Sequence, residues 1–140
     1  MAARKRWTRS KRTSNSEFRS NLEEKVVGDL VNRGVVAEYE PMRIEYLGKP
    51  HHYVPDLSLP NGIIIEIKGW FQSKDRAKHL LVKQQHPEFD IRFVFSAPNN
   101  KISKQSNTTY AMWCERHGFE WATGTVPQAW IDEQQTNTTD

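Results

Sequence analysis

The sequence predicts an α/β or α+β sandwich built from one domain of 140 residues. Three observations predict it. Short runs rich in branched and aromatic residues recur along the chain, each bounded by Gly, Pro or Asn. Segments with helical spacing of apolar residues lie between them. The chain is also long enough to bury a core without cross-links. Its mean hydropathy of −0.78 is polar for this size, but the aromatic and β-branched content argues against global disorder.

The elements follow in order. Residues 1–15 read as a basic flexible arm. A first helix is expected from Ser16 or Ser20 to Arg33, because Phe18, Leu22, Val26 and Leu30 recur every fourth residue and Gly34 can end it. Strand-like segments follow at Val35–Glu40 and Met42–Leu47, interrupted by Pro41. Gly48-Lys49-Pro50 reads as a turn or hinge. Two further runs surround Pro60-Asn61-Gly62. A helix is expected from Lys74 to His86, with Ser73 as its cap and Pro87 beyond. Ile91–Phe95 reads as a short buried strand, and residues 96–107 as a polar loop. A helix carrying Tyr110 and Trp113 should end near Gly118, with a last strand at Phe119–Ala122 and a short helix opened by Pro127. The domain spans residues 16–133, and the tail at 134–140 is expected to be disordered.

Charge is unevenly spread. Arg4, Lys5, Arg6, Arg9, Lys11 and Arg12 crowd into residues 1–12, which hold no acid. The remainder carries 14 basic and 17 acidic residues and is mildly acidic. Such an arm is suited to holding a polyanion, and nucleic acid is the expected partner. Cys114 is the sole cysteine, so no intrachain disulfide can form, which fits a reducing cytoplasm. No apolar run approaches a membrane span, and no apolar stretch follows the basic N-terminus as a signal peptide would require.

The chemistry concentrates in VPDLSLPNGIIIEIKGW, residues 54–70. Strand side chains alternate faces. Ile63, Ile65 and Ile67 share one face; Ile64, Glu66 and Lys68 share the other. A three-residue loop Pro60-Asn61-Gly62, with Gly in the left-handed region, pairs Leu59 with Ile63, Leu57 with Ile65 and Asp56 with Glu66. A two-residue Asn-Gly loop would pair Asp56 with Ile67 and mix acid into the apolar face, so the hydrophobic pattern selects the first register. Two carboxylates then face each other. At about 4 Å and an effective dielectric near 20, their repulsion is on the order of 4 kcal/mol. A divalent cation would offset it, and oxygen-only ligands favour magnesium or manganese. Lys68 would face the anion such a metal binds, an arrangement suited to phosphoryl chemistry. A solvent-facing strand with ordinary polar-out patterning is the bland alternative.

Pro55-Asp56, nine residues, then Glu66-Ile67-Lys68 resembles the PD-(D/E)xK nuclease superfamily. The likeness extends to Phe18-Arg19-Ser20-Asn21-Leu22-Glu23, Leu59-Pro60-Asn61-Gly62-Ile63, Lys78-His79-Leu80-Leu81, Gln85-His86-Pro87-Glu88 and Cys114-Glu115-Arg116-His117-Gly118. Together these resemble the endonuclease I family of short-tailed phages, over about residues 17–131. The resemblance implies a restriction-endonuclease-like α/β fold, with a central mixed sheet flanked by helices. It implies a magnesium-dependent enzyme that hydrolyses phosphodiesters in four-way and branched DNA, a Holliday-junction resolvase, with manganese able to substitute. Two ions per site are implied. Asp56, Glu66 and the Ile67 carbonyl would hold one; Asp56 would bridge to the other, with Glu23 as a further ligand. Lys68 would orient the attacking water or stabilise charge on the phosphorane. Arg19 would contact phosphate. The resemblance also implies a homodimer with exchanged elements, linked by a bridging strand at about residues 42–50, acting in the cytoplasm of an infected bacterium. A mismatch-nicking or restriction-type enzyme of the same superfamily, or a noncatalytic DNA-binding module, is the alternative.

Other residues read more plainly. Ser20-Asn21-Leu22-Glu23 also fits a capping box, a competing role for Glu23. His51 and His52 lie near the first run; His79, His86 and His117 lack ligand spacing. Trp70, Trp113, Trp121 and Trp130 read as packing residues, and Trp7 as a tail aromatic able to stack on a base. Lys74, Arg76, Lys78 and Lys83 would line a DNA face or simply solvate a helix.

Overall fold

A computed structural model of the chain describes residues 21–48 and 52–134. Its first element, α1 (Asn21–Asn32), turns Val26, Val27 and Leu30 inward. It ends where the sequence requires. Gly34 takes φ +75°, Gly34 N–H donates to Val31 O, and Val35 N–H reaches back to Leu30 O, a Schellman closure that satisfies carbonyls the helix leaves open. The chain then forms β1 (Glu38–Tyr39), β2 (Ile44–Glu45), β3 (His52–Tyr53), β4 (Leu57–Ser58) and β5 (Ile64–Lys68). The expected strands around Pro41 are thus only two residues each. Glu40 sits at φ +47° between them, turning the chain out of the sheet just before Pro41. The rest is α2 (Ser73–Gln85), β6 (Ile91–Phe95), α3 (Tyr110–Arg116), β7 (Trp121–Thr123) and α4 (Gln128–Asp132).

Five strands form one mixed sheet in the order β1-β4-β5-β6-β7. β1, β4 and β5 pair antiparallel; β5, β6 and β7 run parallel, with α2 and α3 as their crossovers. This is the expected α/β architecture, a central mixed sheet flanked by helices. β2 and β3 make a separate antiparallel pair.

The hairpin register is the one selected by the apolar pattern. Leu57 pairs with Ile65, and Leu59 N–H donates to Ile63 O. Gly62 adopts φ +92°, as the three-residue loop demands. Asn61 adds a function of its own: its side-chain N–H groups reach Trp130 O and Glu133 O, each at 2.7 Å, tying the turn to α4.

Cores lie on both sides of the sheet. Leu57, Leu59, Ile63, Ile65 and Ile67 pack with Val26 and Leu30 of α1 and Trp130 of α4. On the opposite side, Ile64, Phe93 and Phe95 pack with Phe71, Val82, Tyr110, Trp113 and Phe119. β5 and β6 are buried along both faces, as parallel central strands usually are. The solvent-facing alternative for Glu66 is therefore excluded. Ser73 is not the cap of α2: Gln72 occupies that position, and its N–H donates to Asp75 Oδ2 at 3.1 Å. The expected arm at 1–15, residues 49–51 of the hinge and bridging segment, and the tail from 135 on lie outside the described residues.

Candidate active site

Asp56 sits one residue before β4, and Glu66 in the middle of β5. Each carboxyl side chain is only 2% exposed as a residue. The pairing Leu57–Ile65 carries Asp56 opposite Glu66. There, side chains replace the backbone ladder. Asp56 N–H donates to Glu66 Oε2 at 3.1 Å, and Ile67 N–H donates to Asp56 Oδ2 at 2.8 Å. The two strands therefore hold each other's carboxylates. Asp56 O also accepts from Glu40 N–H at 2.7 Å, which ties the position to the outgoing bend of β1.

A second set of groups fixes Glu66. Tyr53 O–H donates to Oε2 at 2.8 Å. Oε1 lies 3.6 Å from Lys68 Nζ and 3.5 Å from His79 Nε2. His79 is wholly buried, wedged edge-on between Tyr53 and Phe93 at 5.0 and 4.9 Å between ring centres. At 3.5 Å its contact with Glu66 is electrostatic more than a good hydrogen bond. Lys68 Nζ is also 3.7 Å from Asp75 Oδ1, so the ammonium bridges β5 and the first turn of α2. Lys78, half-buried at the same face of α2, lies 5.5 Å over the Tyr53 ring.

Electrostatics divides the two carboxyls. Burial, then the charges of Glu66 and Glu23, push Asp56 well above the usual carboxylate range. Burial would raise Glu66 as well, but His79, Lys68 and Tyr53 outweigh it, and Glu66 is held low. Burial shifts His79 itself down, against the pull of Glu66. Burial also lowers Lys78. Of the two acids, Asp56 is the one whose charged form the site disfavours.

Glu23 is buried on α1 and accepts a 2.6 Å hydrogen bond from Tyr39 O–H. It is close enough for its charge to raise Asp56. Ser20 of the expected capping box, together with Arg4, Lys5, Arg6, Arg9, Lys11, Arg12 and Arg19, lies outside the described residues.

These donors fit a hard divalent cation. They are all oxygen, they come from neighbouring strands, and a cation between them would remove the repulsion that raises Asp56. Among the described residues no three Asp, Glu, His or Cys side chains are gathered as a ligand set. Backbone, water and substrate oxygens are left to complete a coordination shell. Nor is any helix of the described residues long and apolar enough to cross a membrane.

Several outcomes differ from expectation. His79 carries no ligand spacing in sequence, yet it backs Glu66. Tyr53 and Asp75 were not singled out, yet both contact the site's charged groups. The spacing Asp75, His79, Val82 was a usable signal, since residues four and three apart share a helix face. Trp70 is not a packing residue: it is 72% exposed, because the adjacent Phe71 takes the core position. Of the helix cations, Arg76 donates to Phe71 O and Lys83 to Gly118 O, so both brace the fold. His86 donates to Glu45 O at 2.7 Å, and His117 packs on Trp113.

Comparison of the sequence with known proteins relates the chain to DNA-cleaving enzymes. The family model described as Phage endonuclease I matches residues 1–140. "Endonuclease I" of Escherichia phage T7 is 48% identical over 118 residues, covering 83% of this chain and 79% of that protein. "Endodeoxyribonuclease 1" of Enterobacteria phage T3 is 48% identical over 123 residues, covering 86% and 81%.

Proposed function

The chain belongs to the phage endonuclease I family, and from that premise we propose that Asp56, Glu66 and Lys68 form the centre of a magnesium-dependent endonuclease that resolves four-way and branched DNA. The observation that carries the reading is the buried Asp56–Glu66 pair with the Lys68 ammonium beside it. Acids so deeply buried beside each other are costly to a fold, and a nuclease site gives the cost a purpose.

Magnesium, with manganese able to substitute, is the proposed ion, and two ions per site are proposed. When bound, the ions supply positive charge at the phosphoryl oxygens and acidify the attacking water. Asp56, Glu66 and the Ile67 carbonyl would hold the first, and Asp56 with Glu23 the second. The chain's own groups do the positioning. Ile67 N–H fixes one Asp56 oxygen. Tyr53 and the Asp56 N–H fix one Glu66 oxygen. Glu66 and Asp75 together hold the Lys68 ammonium in place. There it orients the attacking water or stabilises charge developing on the phosphorane.

The fold reading is PD-(D/E)xK, supported by the Asp on one strand and the Glu-x-Lys on its antiparallel neighbour. The basic residues Arg4, Lys5, Arg6, Arg9, Lys11, Arg12 and Arg19 would grip phosphates and so position the DNA without reading its sequence. Dimerisation by exchange is also proposed. In this chain α1 packs on its own sheet. In an exchanged dimer the partner's first helix takes that seat, with residues 42–50 as the connection. Two sites would then face one junction and make paired cuts. The proposed setting is the cytoplasm of an infected bacterium.

The test is direct. Purified full-length protein is incubated with a synthetic four-way junction and with the matching linear duplex, with and without magnesium. The junction should be cut only with magnesium and much faster than the duplex. Equal cutting of both would favour a restriction-type or mismatch-nicking activity. Binding without cutting would leave only a DNA-binding module.

A further inference from the structure

Trp70 stands two residues beyond Lys68, the last residue of β5, and is 72% exposed. Its mounting is rigid. Phe71 is fully buried, with ring centres 5.1 Å from Phe93, 5.3 Å from Phe95 and 5.0 Å from Trp113. Arg76 donates to Phe71 O at 2.7 Å. The next residue, Gln72, is held by Asp75, which also approaches Lys68. The turn that presents the indole is therefore tied to Asp75, which also approaches the Lys68 ammonium. A large apolar ring left in water on so stiff a support has an available face and little ordering entropy to lose on binding.

Resting on the endonuclease reading, we propose that Trp70 stacks on a nucleobase exposed at the branch point next to the scissile phosphate, and so favours junctions over plain duplex. Two residues of chain place the Trp70 and Lys68 Cα atoms at most about 7 Å apart. Successive nucleotides rise about 3.4 Å per strand, so the indole reaches bases within about two nucleotides of the phosphate that Lys68 serves. In continuous duplex each base is covered on both faces by its neighbours. At a branch the stack is interrupted and a face becomes available. Stacking accepts any base, because every base has a π-face. A single aromatic thus reads discontinuity and leaves sequence unread.

The experiment measures junction and duplex binding by the full chain in an Asp56→Asn background, which blocks cutting. Trp70→Ala and Trp70→Phe are added to it. Junction affinity should fall about tenfold or more with Ala, the lower part of the range for losing one base stack, and return to within about threefold with Phe. Duplex affinity should change less than about twofold. 2-Aminopurine placed at the nucleotides flanking the cut should be quenched on binding, and the quench should vanish with Trp70→Ala. Equal losses on junction and duplex, or no loss on either, would overturn the proposal. So would a Phe variant no better than Ala. The two readings fail separately. If the otherwise unaltered protein cuts junctions with magnesium and Trp70→Ala binds them normally, only the stacking role is wrong. If it cuts no DNA at all, the endonuclease reading falls and the stacking role falls with it.

Discussion

Replacing Asp56 with Asn should make the metal-free protein more stable while abolishing its cutting. Asn keeps the shape of Asp, and its carbonyl oxygen can still accept from Ile67 N–H, which now donates to Asp56 Oδ2 at 2.8 Å. Its amide is neutral beside Glu66, which is held in its charged form. What disappears is one negative charge buried beside another. At separations of about 4–6 Å and an effective dielectric near 20, that repulsion is about 3–4 kcal/mol. Weakening one charge-assisted hydrogen bond gives back about 1–2 kcal/mol. The net gain is about 2 kcal/mol at pH 8, or roughly 6–10 °C in midpoint for a chain of this size.

The pH dependence separates this cause from others. Burial, Glu66 and Glu23 raise Asp56 above its unfolded value. The folded protein therefore holds this proton more tightly than the unfolded chain does. Its penalty is complete above the folded pKa and shrinks as pH falls through it. The advantage of Asp56→Asn should accordingly be largest at pH 8 and narrow toward pH 5. Thermal melts in chelator across that range supply the measurement. Magnesium at a hundred times its dissociation constant should add about 2.7 kcal/mol to the unaltered protein and little to the variant. A variant less stable than the parent at pH 8, or an advantage flat from pH 5 to pH 8, would refute the electrostatic account of the site.

Combining Glu23→Ala chains with Lys68→Ala chains in one heterodimer tests exchange: exchanged helices leave one site intact and nicking survives, whereas self-contained sites are both damaged and cutting vanishes. Deleting residues 1–12 removes six positive charges and should reduce the slope of log affinity against log salt by roughly five, measured by titration at several salt concentrations. Tyr53→Phe removes the 2.8 Å donor to Glu66 Oε2 and should cost about 1–3 kcal/mol in urea melts, with slower junction cutting. Asn61→Ala strips the bonds to Trp130 O and Glu133 O and should cost about 1–3 kcal/mol while leaving the cutting rate at 25 °C within about twofold.

Much of this was legible because local rules agreed. The Pro60-Asn61-Gly62 turn and the alternation of isoleucines select one register, and that register alone brings Asp56 opposite Glu66. Gly34 ends α1 as its spacing suggested. What escaped depended on which of two neighbours wins a seat in the core. Trp70 and Phe71 are both plausible packing residues, and only the finished aromatic cluster around Phe71 decides between them. β3 was similarly hidden, since two residues, His52 and Tyr53, carry no periodicity. His79 gave no signal because it lacks ligand spacing with the other histidines. Its burial follows from the packing of α2 over β5 and β6, a tertiary fact.

The site lies where those local rules are broken. β5 is an isoleucine strand buried on both faces, a setting in which Glu and Lys are poor choices. The fold tolerates Glu66 because Tyr53, Asp56 N–H and Lys68 surround it, and tolerates Lys68 because Glu66 and Asp75 do the same. It leaves Asp56 with a residual electrostatic penalty that its backbone bond to Ile67 does not remove. A site relaxed in the absence of ions would have little to gain from binding them. Here the strain is confined to one carboxyl, in a rigid frame, next to the Lys68 ammonium proposed to serve phosphoryl transfer. On the proposed reading, affinity for the ions and the geometry of the reaction have the same structural source.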